Sequence, residues 1–265
     1  MLTGYAGFGD PGGGVGIGAV LAGTIILDPA RPLRIARLPH GMTMATVSVD
    51  WIRNQPIDRA DAVLARHLSA KEAVYARALR IPRRRAEWLA GRLAAKHAVR
   101  AHRRLHLGIG RPTRDIVVTV VRDGPCAGRP RVNRRVEIGI SHSADFAVAV
   151  CGTSRVGIDL EKNRALSPIL VNALTAAVAD ELGTGNGRVH SMSPPLHWAC
   201  REAILKYFGF GLRVDPREIR LTEWRSDGSF GWTVGAELRR RAASIPWPRR
   251  AWAGDIAGYS LALVW

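Results

Sequence analysis

The sequence predicts an α/β (α+β) fold built of two similar halves, and four observations predict it. Short β-branched or aromatic-led runs alternate with longer helical stretches, the pattern of sheets with helices packed on them. The halves run in one register: Trp88 and Lys96 lie eight apart in the first, Trp198 and Lys206 eight apart in the second. Each of these helices ends in a Gly-x-Gly (Gly108-Ile109-Gly110, Gly209-Phe210-Gly211), followed by an acidic-led strand (Asp115-Ile116, Glu218-Ile219). Each half closes on an aromatic-led apolar strand, from Phe146 and from Tyr259. The ordered series predicts an internal duplication, related by a pseudo-twofold, with a cleft between the halves.

The elements follow in order. Residues 1–43 read as a flexible Gly-rich extension, or as sequence upstream of a start at Met42 or Met44. The apolar run 15–27 is too short to span a bilayer, and no Lys or Arg precedes it, which argues against a secretory signal. Gly12, Gly13, Gly14, Gly16 and Gly18 lack the Lys-Ser or Lys-Thr of a phosphate loop. The first half, 44–152, opens with an alternating strand at 45–51. Ser69, with Glu72 three residues on, has the spacing of a capping box and starts a helix. Pro82 interrupts that helix, and a second runs over 82–106. Strands are expected at 116–121, 136–140 and 146–151, with Gly124-Pro125 and Gly128 marking a turn. The second half, 153–265, is expected to hold a strand at 156–161, a helix at 167–182, a loop at 183–195 and a helix at 196–208. Strands at 219–224, 230–234 and 259–265 complete it.

Composition narrows the function classes. Lys plus Arg number 39 against 22 Asp plus Glu, a formal charge of +17. Such a balance favours anionic partners: nucleic acid, acidic protein surfaces or phosphorylated small molecules. Cys126, Cys151 and Cys200 are scattered and form no Cys-x-x-Cys, against a disulfide framework or a cysteine zinc site. A reducing, cytoplasmic setting is expected.

Four segments carry the chemistry. In Val156-Gly157-Ile158-Asp159-Leu160-Glu161, strand alternation puts Asp159 and Glu161 on one face and Ile158 and Leu160 on the other. Two neighbouring carboxylates need a cation or hydrogen-bond donors. Magnesium suits them, and a solvated acidic strand edge is an equally open reading. In Trp198-Ala-Cys-Arg-Glu-Ala-Ile-Leu-Lys206, helical spacing stacks Trp198, Glu202 and Lys206. Such a face can complete a metal site and neutralise phosphate, or be an ordinary surface ion pair. In Ile140-Ser141-His142-Ser143, a tight bend between apolar runs can aim His142 into the cleft. Arg85, Arg92 and Lys96 share a rough side of the basic helix, as a solvated face or an anion pocket.

Together these segments resemble the 4'-phosphopantetheinyl transferases of the surfactin-synthetase-activating (Sfp) type. The resemblance runs from about Leu68 to Leu212. It comprises Arg85-x-x-Trp88-x-x-Gly91-Arg92, Gly124-Pro125 through Gly128-Arg129-Pro130, Ser141-His142-Ser143, Gly157-Ile158-Asp159-Leu160-Glu161 and Trp198-x-x-Arg201-Glu202-Ala203-x-x-Lys206. The family usually has Lys where this chain has Arg129 and Arg201; both changes keep the charge. The resemblance implies the transferase fold, with the active site in the cleft. It implies magnesium on Asp159, Glu161 and Glu202, and coenzyme A as co-substrate. Arg85, Arg92 and His142, with Ser141, would face the nucleotide phosphates, Lys206 the pyrophosphate, and the Gly128-Arg129-Pro130 turn the adenine or its phosphate. A serine of an acidic apo acyl or peptidyl carrier protein would receive the phosphopantetheine arm, with Glu202 as base and Glu161 as the competing base. Carrier docking is expected over 164–195, the second half thus serving magnesium and carrier and the first coenzyme A. A monomer is expected, with neither nucleic acid nor membrane as partner.

Two other classes use parts of the same evidence. A nucleic-acid-binding protein would explain the charge, but aromatics are only 6%, no recognised motif is present and the three carboxylates go unused. A metal-dependent phosphate-ester hydrolase would use the carboxylates without a carrier. His102-Arg-Arg-Leu-His106 has the spacing of a zinc pair, without the Glu of a metalloprotease helix.

Overall fold

The structure is a computed structural model and describes residues 17–132, 136–179 and 188–265. α1 (Ile17–Thr24) leads to β1 (Leu33–Leu38) and β2 (Met42–Ser48). Then come α2 (Val49–Arg53), α3 (Ile57–His67), α4 (Ala70–Ala78) and the long α5 (Pro82–Leu107). β3 (Val118–Val120) and β4 (Pro130–Val132) form a small hairpin. They are followed by β5 (Glu137–Ser143), β6 (Phe146–Gly152) and β7 (Gly157–Lys162). α6 (Pro168–Ala179) and α7 (Pro194–Phe208) precede a second small hairpin, β8 (Ile219–Trp224) and β9 (Phe230–Val234). α8 (Ala236–Arg241), β10 (Ala251–Ile256) and β11 (Tyr259–Val264) end the chain.

The result is a mixed α/β fold with antiparallel sheets. One sheet has the order β1-β2-β6-β5, another β10-β11-β7. Strand alternation decides how they stack. Ala147, Ala149 and Cys151 of β6 pack with the α5 residues Ala90, Ala94 and Ala98. Val148 and Val150, on the opposite face, share a core with Ile158 and Leu160 of β7 and Leu261 and Leu263 of β11. The far side of the second sheet, including Ala262 and Val264, packs with α7 residues such as Ala199 and Ala203. Small alanines let both helices lie close to their sheets. Among the described residues no helix is long and apolar enough to cross a membrane.

Local chemistry explains the helix ends. The capping box is formed: the Ser69 hydroxyl accepts from the Glu72 amide at 3.4 Å, and Glu72 accepts from the Ser69 amide at 2.9 Å. α5 starts with Pro at its first turn, where a missing N–H costs nothing. α7 ends at Gly209 in the left-handed region (φ 81°), the usual helix stop.

Several expectations are corrected. The described part of the supposed extension is built into the fold: β1 pairs with β2 along its length, and Leu21, Ile25, Leu27 and Leu38 are buried in the inter-sheet core. The apolar run was plain in the sequence, but not that it folds as the short helix α1 against the core. The strand expected at 45–51 stops at Ser48, whose hydroxyl accepts from the Trp51 amide and caps α2. α3, α8 and β10 were not foreseen. His142 lies in β5 itself; the bend falls at Ala144 (φ 48°) and Asp145. Lys96 is no part of an anion pocket. It is fully buried, paired with Glu72 at 2.7 Å, and donates to the carbonyls of Thr113 and Ile116 at 3.2 and 2.7 Å. Gly12, Gly13, Gly14, Gly16 and the loop segment 183–187 lie outside the described residues, as do the last three residues of the helix expected at 167–182.

Candidate functional site

The site forms where β5 of the first sheet meets β7 of the second, beneath α7. With Ile158 and Leu160 turned into the inter-sheet core, Asp159 and Glu161 turn the other way, toward α7. Gly157 makes the close approach possible: a Cβ there would lie 2.0 Å from the Ala203 carbonyl and 2.6 Å from the Tyr207 amide. Glu202 and Lys206, one helical turn apart, are thereby held over β7.

Ser141 and Ser143 stitch the two strands together. The Ser141 hydroxyl accepts from the Leu160 amide at 3.2 Å and donates to Asp159 Oδ1 at 2.8 Å. Two residues on, the Ser143 hydroxyl accepts from the Lys162 amide at 3.0 Å and reaches Glu161 Oε2 at 3.3 Å. His142, between them, faces the opposite side and stands exposed at a groove. Ser143 was not among the expected site residues; its period-two spacing from Ser141 was the signal available.

Lys206 closes the constellation. Its ammonium pairs with Asp159 Oδ1 at 2.5 Å and donates to Ser141 Oγ at 3.0 Å. Burial works against its charge, but Asp159, Glu202 and Glu161 outweigh it and raise its pKa. About 30% of the side chain still reaches solvent. Burial, with the charge of Asp159 added, pushes Glu161 up to about 7. Burial and Asp159 also raise Glu202, while Lys206 opposes them. Asp159 Oδ2 and Glu202 Oε1 are buried and accept no hydrogen bond from any described residue.

The oxygen chemistry of Asp159, Glu161 and Glu202 is of the kind a hard divalent cation takes, though their grouping is not. Two buried carboxylate oxygens lack partners, and two raised carboxyl groups mark a place short of positive charge. Among the described residues, however, no three acidic, histidine or cysteine side chains are grouped so as to enclose a metal. Asp159 instead holds the Lys206 ammonium, which stands where a cation would.

Two grooves meet beside this knot, sharing Gly128, Pro130 and Ile140. One, of about 550 Å³, is lined by Trp88, Arg92 and His142 among others. Arg92 stacks on Trp88 with its guanidinium 5.0 Å from the ring centre, and burial lowers its pKa. The groove walls keep water from part of the His142 ring and so lower its pKa although its edge is exposed, Lys206 and Arg83 adding to the effect against Glu87 and Asp159. The other groove, of about 540 Å³, is lined by Arg129, Lys206 and the Gly209–Arg213 turn. Arg129 is paired with Glu137. Arg85 faces neither; it lines a separate groove on another side of α5. Arg201 is buried and donates to the Leu174 carbonyl at 3.4 Å.

No protein-family model matches the chain, and no curated protein matches it. Among solved structures it is similar to a holo-(acyl-carrier-protein) synthase from Bacillus anthracis in complex with coenzyme A (3',5'-ADP). The match is 28% identical and covers 42% of this chain and 92% of that one, with a TM-score of 0.33. At that score the likeness carries no argument for this chain.

Proposed function

We propose that the chain is a 4'-phosphopantetheinyl transferase of the Sfp type, moving the phosphopantetheine arm of coenzyme A onto a serine of an apo acyl or peptidyl carrier protein. One observation carries it: the part-exposed Lys206 pairs with the buried Asp159 at the seam of the two sheets, beside partnerless buried oxygens of Asp159 and Glu202. This is a place for a cation and a polyanion together.

Asp159, Glu161 and Glu202 would hold magnesium, which when bound neutralises the pyrophosphate and draws electron density from the phosphorus. The nucleotide phosphates lie in the groove of Arg92 and His142, with Trp88 beside them. The turn at Arg129 and Pro130 borders both grooves and the adenosine end. The carrier serine oxygen bonds to the phosphorus that bears pantetheine, and the bond from that phosphorus to the bridging pyrophosphate oxygen breaks. Adenosine 3',5'-bisphosphate leaves. Lys206 meets the charge that builds on the leaving oxygens. Glu202 takes the serine proton; Glu161, with its carboxyl near neutrality, is the competing acceptor. The surplus of basic residues steers an acidic carrier.

The test is to incubate the protein with coenzyme A, magnesium and apo carriers from fatty-acid, polyketide and nonribosomal-peptide synthesis, and to weigh the carriers. A gain of one phosphopantetheine is expected, abolished by chelator. Glu202→Gln should keep coenzyme A binding and lose at least about a hundredfold in transfer rate. No mass gain on any carrier would end the reading. Phosphate release without a carrier would favour the hydrolase.

A further inference from the structure

A third groove opens on another side of α5, lined by residues that the transferase chemistry does not use. We propose that it binds a small amphipathic anion: one carboxylate or phosphate on an apolar chain or ring. Its volume is about 580 Å³, within the range of small-molecule sites and too small for a folded partner. Trp51, Ile52, Leu79 and Leu89 give it apolar walls. Its charged lining is one-sided: Arg53, Arg77, Arg80 and Arg85 against Asp61.

The four arginines are not equivalent. Arg53 is tied to Asp50 at 2.9 Å. Arg77, Arg80 and Arg85 form no ion pair with any described residue. Three guanidinium groups around an apolar floor are positioned for an anionic head, which Arg forks bind with paired hydrogen bonds. An inorganic anion would leave the tryptophan and leucine walls wet. A neutral lipid would leave the arginines without a partner. An amphipathic anion uses both surfaces at once.

The groove is distinct from the catalytic one. Along α5, Arg85, Ala86 and Leu89 face it, whereas Trp88, Gly91 and Arg92 face the groove of His142. Leu79 is the wall between them. The proposal therefore does not depend on the transferase reading.

The test is a fluorescence titration of the intact chain with dansyl-undecanoate. Saturable binding of one probe per chain is expected. Decanoate and decyl phosphate should displace it, and decanol, lacking the charge, should not. The double variant Arg77→Glu, Arg80→Glu alters two exposed side chains. It should weaken binding roughly tenfold or more, with an unchanged melting temperature. If that variant does not fold, the Arg77→Gln, Arg80→Gln pair and a salt titration supply the same readout. Excess coenzyme A should leave the probe in place. Absent saturation, an unchanged affinity in the folded variant, equal displacement by decanol, or displacement by coenzyme A would each overturn the proposal.

Discussion

Ser141 joins more of the site than any other single side chain. Its hydroxyl holds the Leu160 amide, Asp159 and Lys206 together. Ser141→Ala leaves a buried N–H and part of the Asp159–Lys206 pair unsatisfied, which costs about 1–3 kcal/mol. Urea unfolding should show that loss as a lower midpoint with unchanged slope. Ser143→Ala, at a more exposed position, should cost less. Which way a side chain faces was legible wherever alternation decides it. The shared face of Asp159 and Glu161 follows from their spacing, and the β7 core confirms it through Ile158 and Leu160. The partner of Lys96 was not legible. Its burial depends on Glu72, which α4 brings from an earlier stretch of the chain, and no local pattern reports such a meeting. Lys96→Met should cost several times more than a surface lysine change, about 3–5 kcal/mol, because Glu72 would stay buried and uncompensated. Thermal unfolding of Lys96→Met beside Lys71→Met measures the contrast.

At the scale of elements, the site depends on α7 lying against β7. Gly157 sets that distance. Gly157→Ala would drive a methyl group into the backbone of Ala203 and Tyr207, an overpacking that costs about 1–3 kcal/mol or more. It would also lift Glu202 and Lys206 from Asp159, so transfer should fall further than stability alone explains. Gly110→Ala, with open space around its Cβ and no positive φ, should be neutral in both assays. The long helices were legible because their caps are local: Ser69 with Glu72, Pro82, and Gly209. The short elements were not. β10 is one strand of a hairpin whose partner β11 carries the stronger apolar run, and β1 alternates weakly because Ile35 lies on its exposed side while Arg34 is half-buried on the other. Pairing, not propensity, makes them strands.

Across the whole molecule, the response to acid follows from two histidines in different halves. Burial pushes both His97, on α5, and His197, on α7, down to about 4. His67, Arg100 and Arg66 add to the effect on His97. At His197 the Val189 carbonyl opposes it. An unfolded histidine titrates near 6.5, so between about 6.5 and 4 the unfolded chain binds more protons than the folded one. These groups therefore favour folding above about 6.5 and withdraw that support as pH falls toward 4. Glu161 runs the other way: its raised carboxyl holds a proton in the folded state from about 4.5 to 7, favouring folding at the acid end of that range. The opposing slopes partly cancel, so the wild-type curve alone does not isolate the histidines. A difference does. His197→Gln removes one buried site of protonation, worth at most on the order of 3 kcal/mol between neutral and acid pH. The unfolding free energy of the variant should change less steeply between pH 6.5 and 4.5, by up to about 1.4 kcal/mol per pH unit. Parallel curves for the two proteins would mean that His197 takes up its proton without opening the fold. The two-layer coupling matters here. His97 belongs to the helix that covers the first sheet and His197 to the helix that covers the second, while the sheets share one apolar interior. Charging either histidine loosens one outer layer, and the common core transmits the loss, so both halves should unfold in one transition.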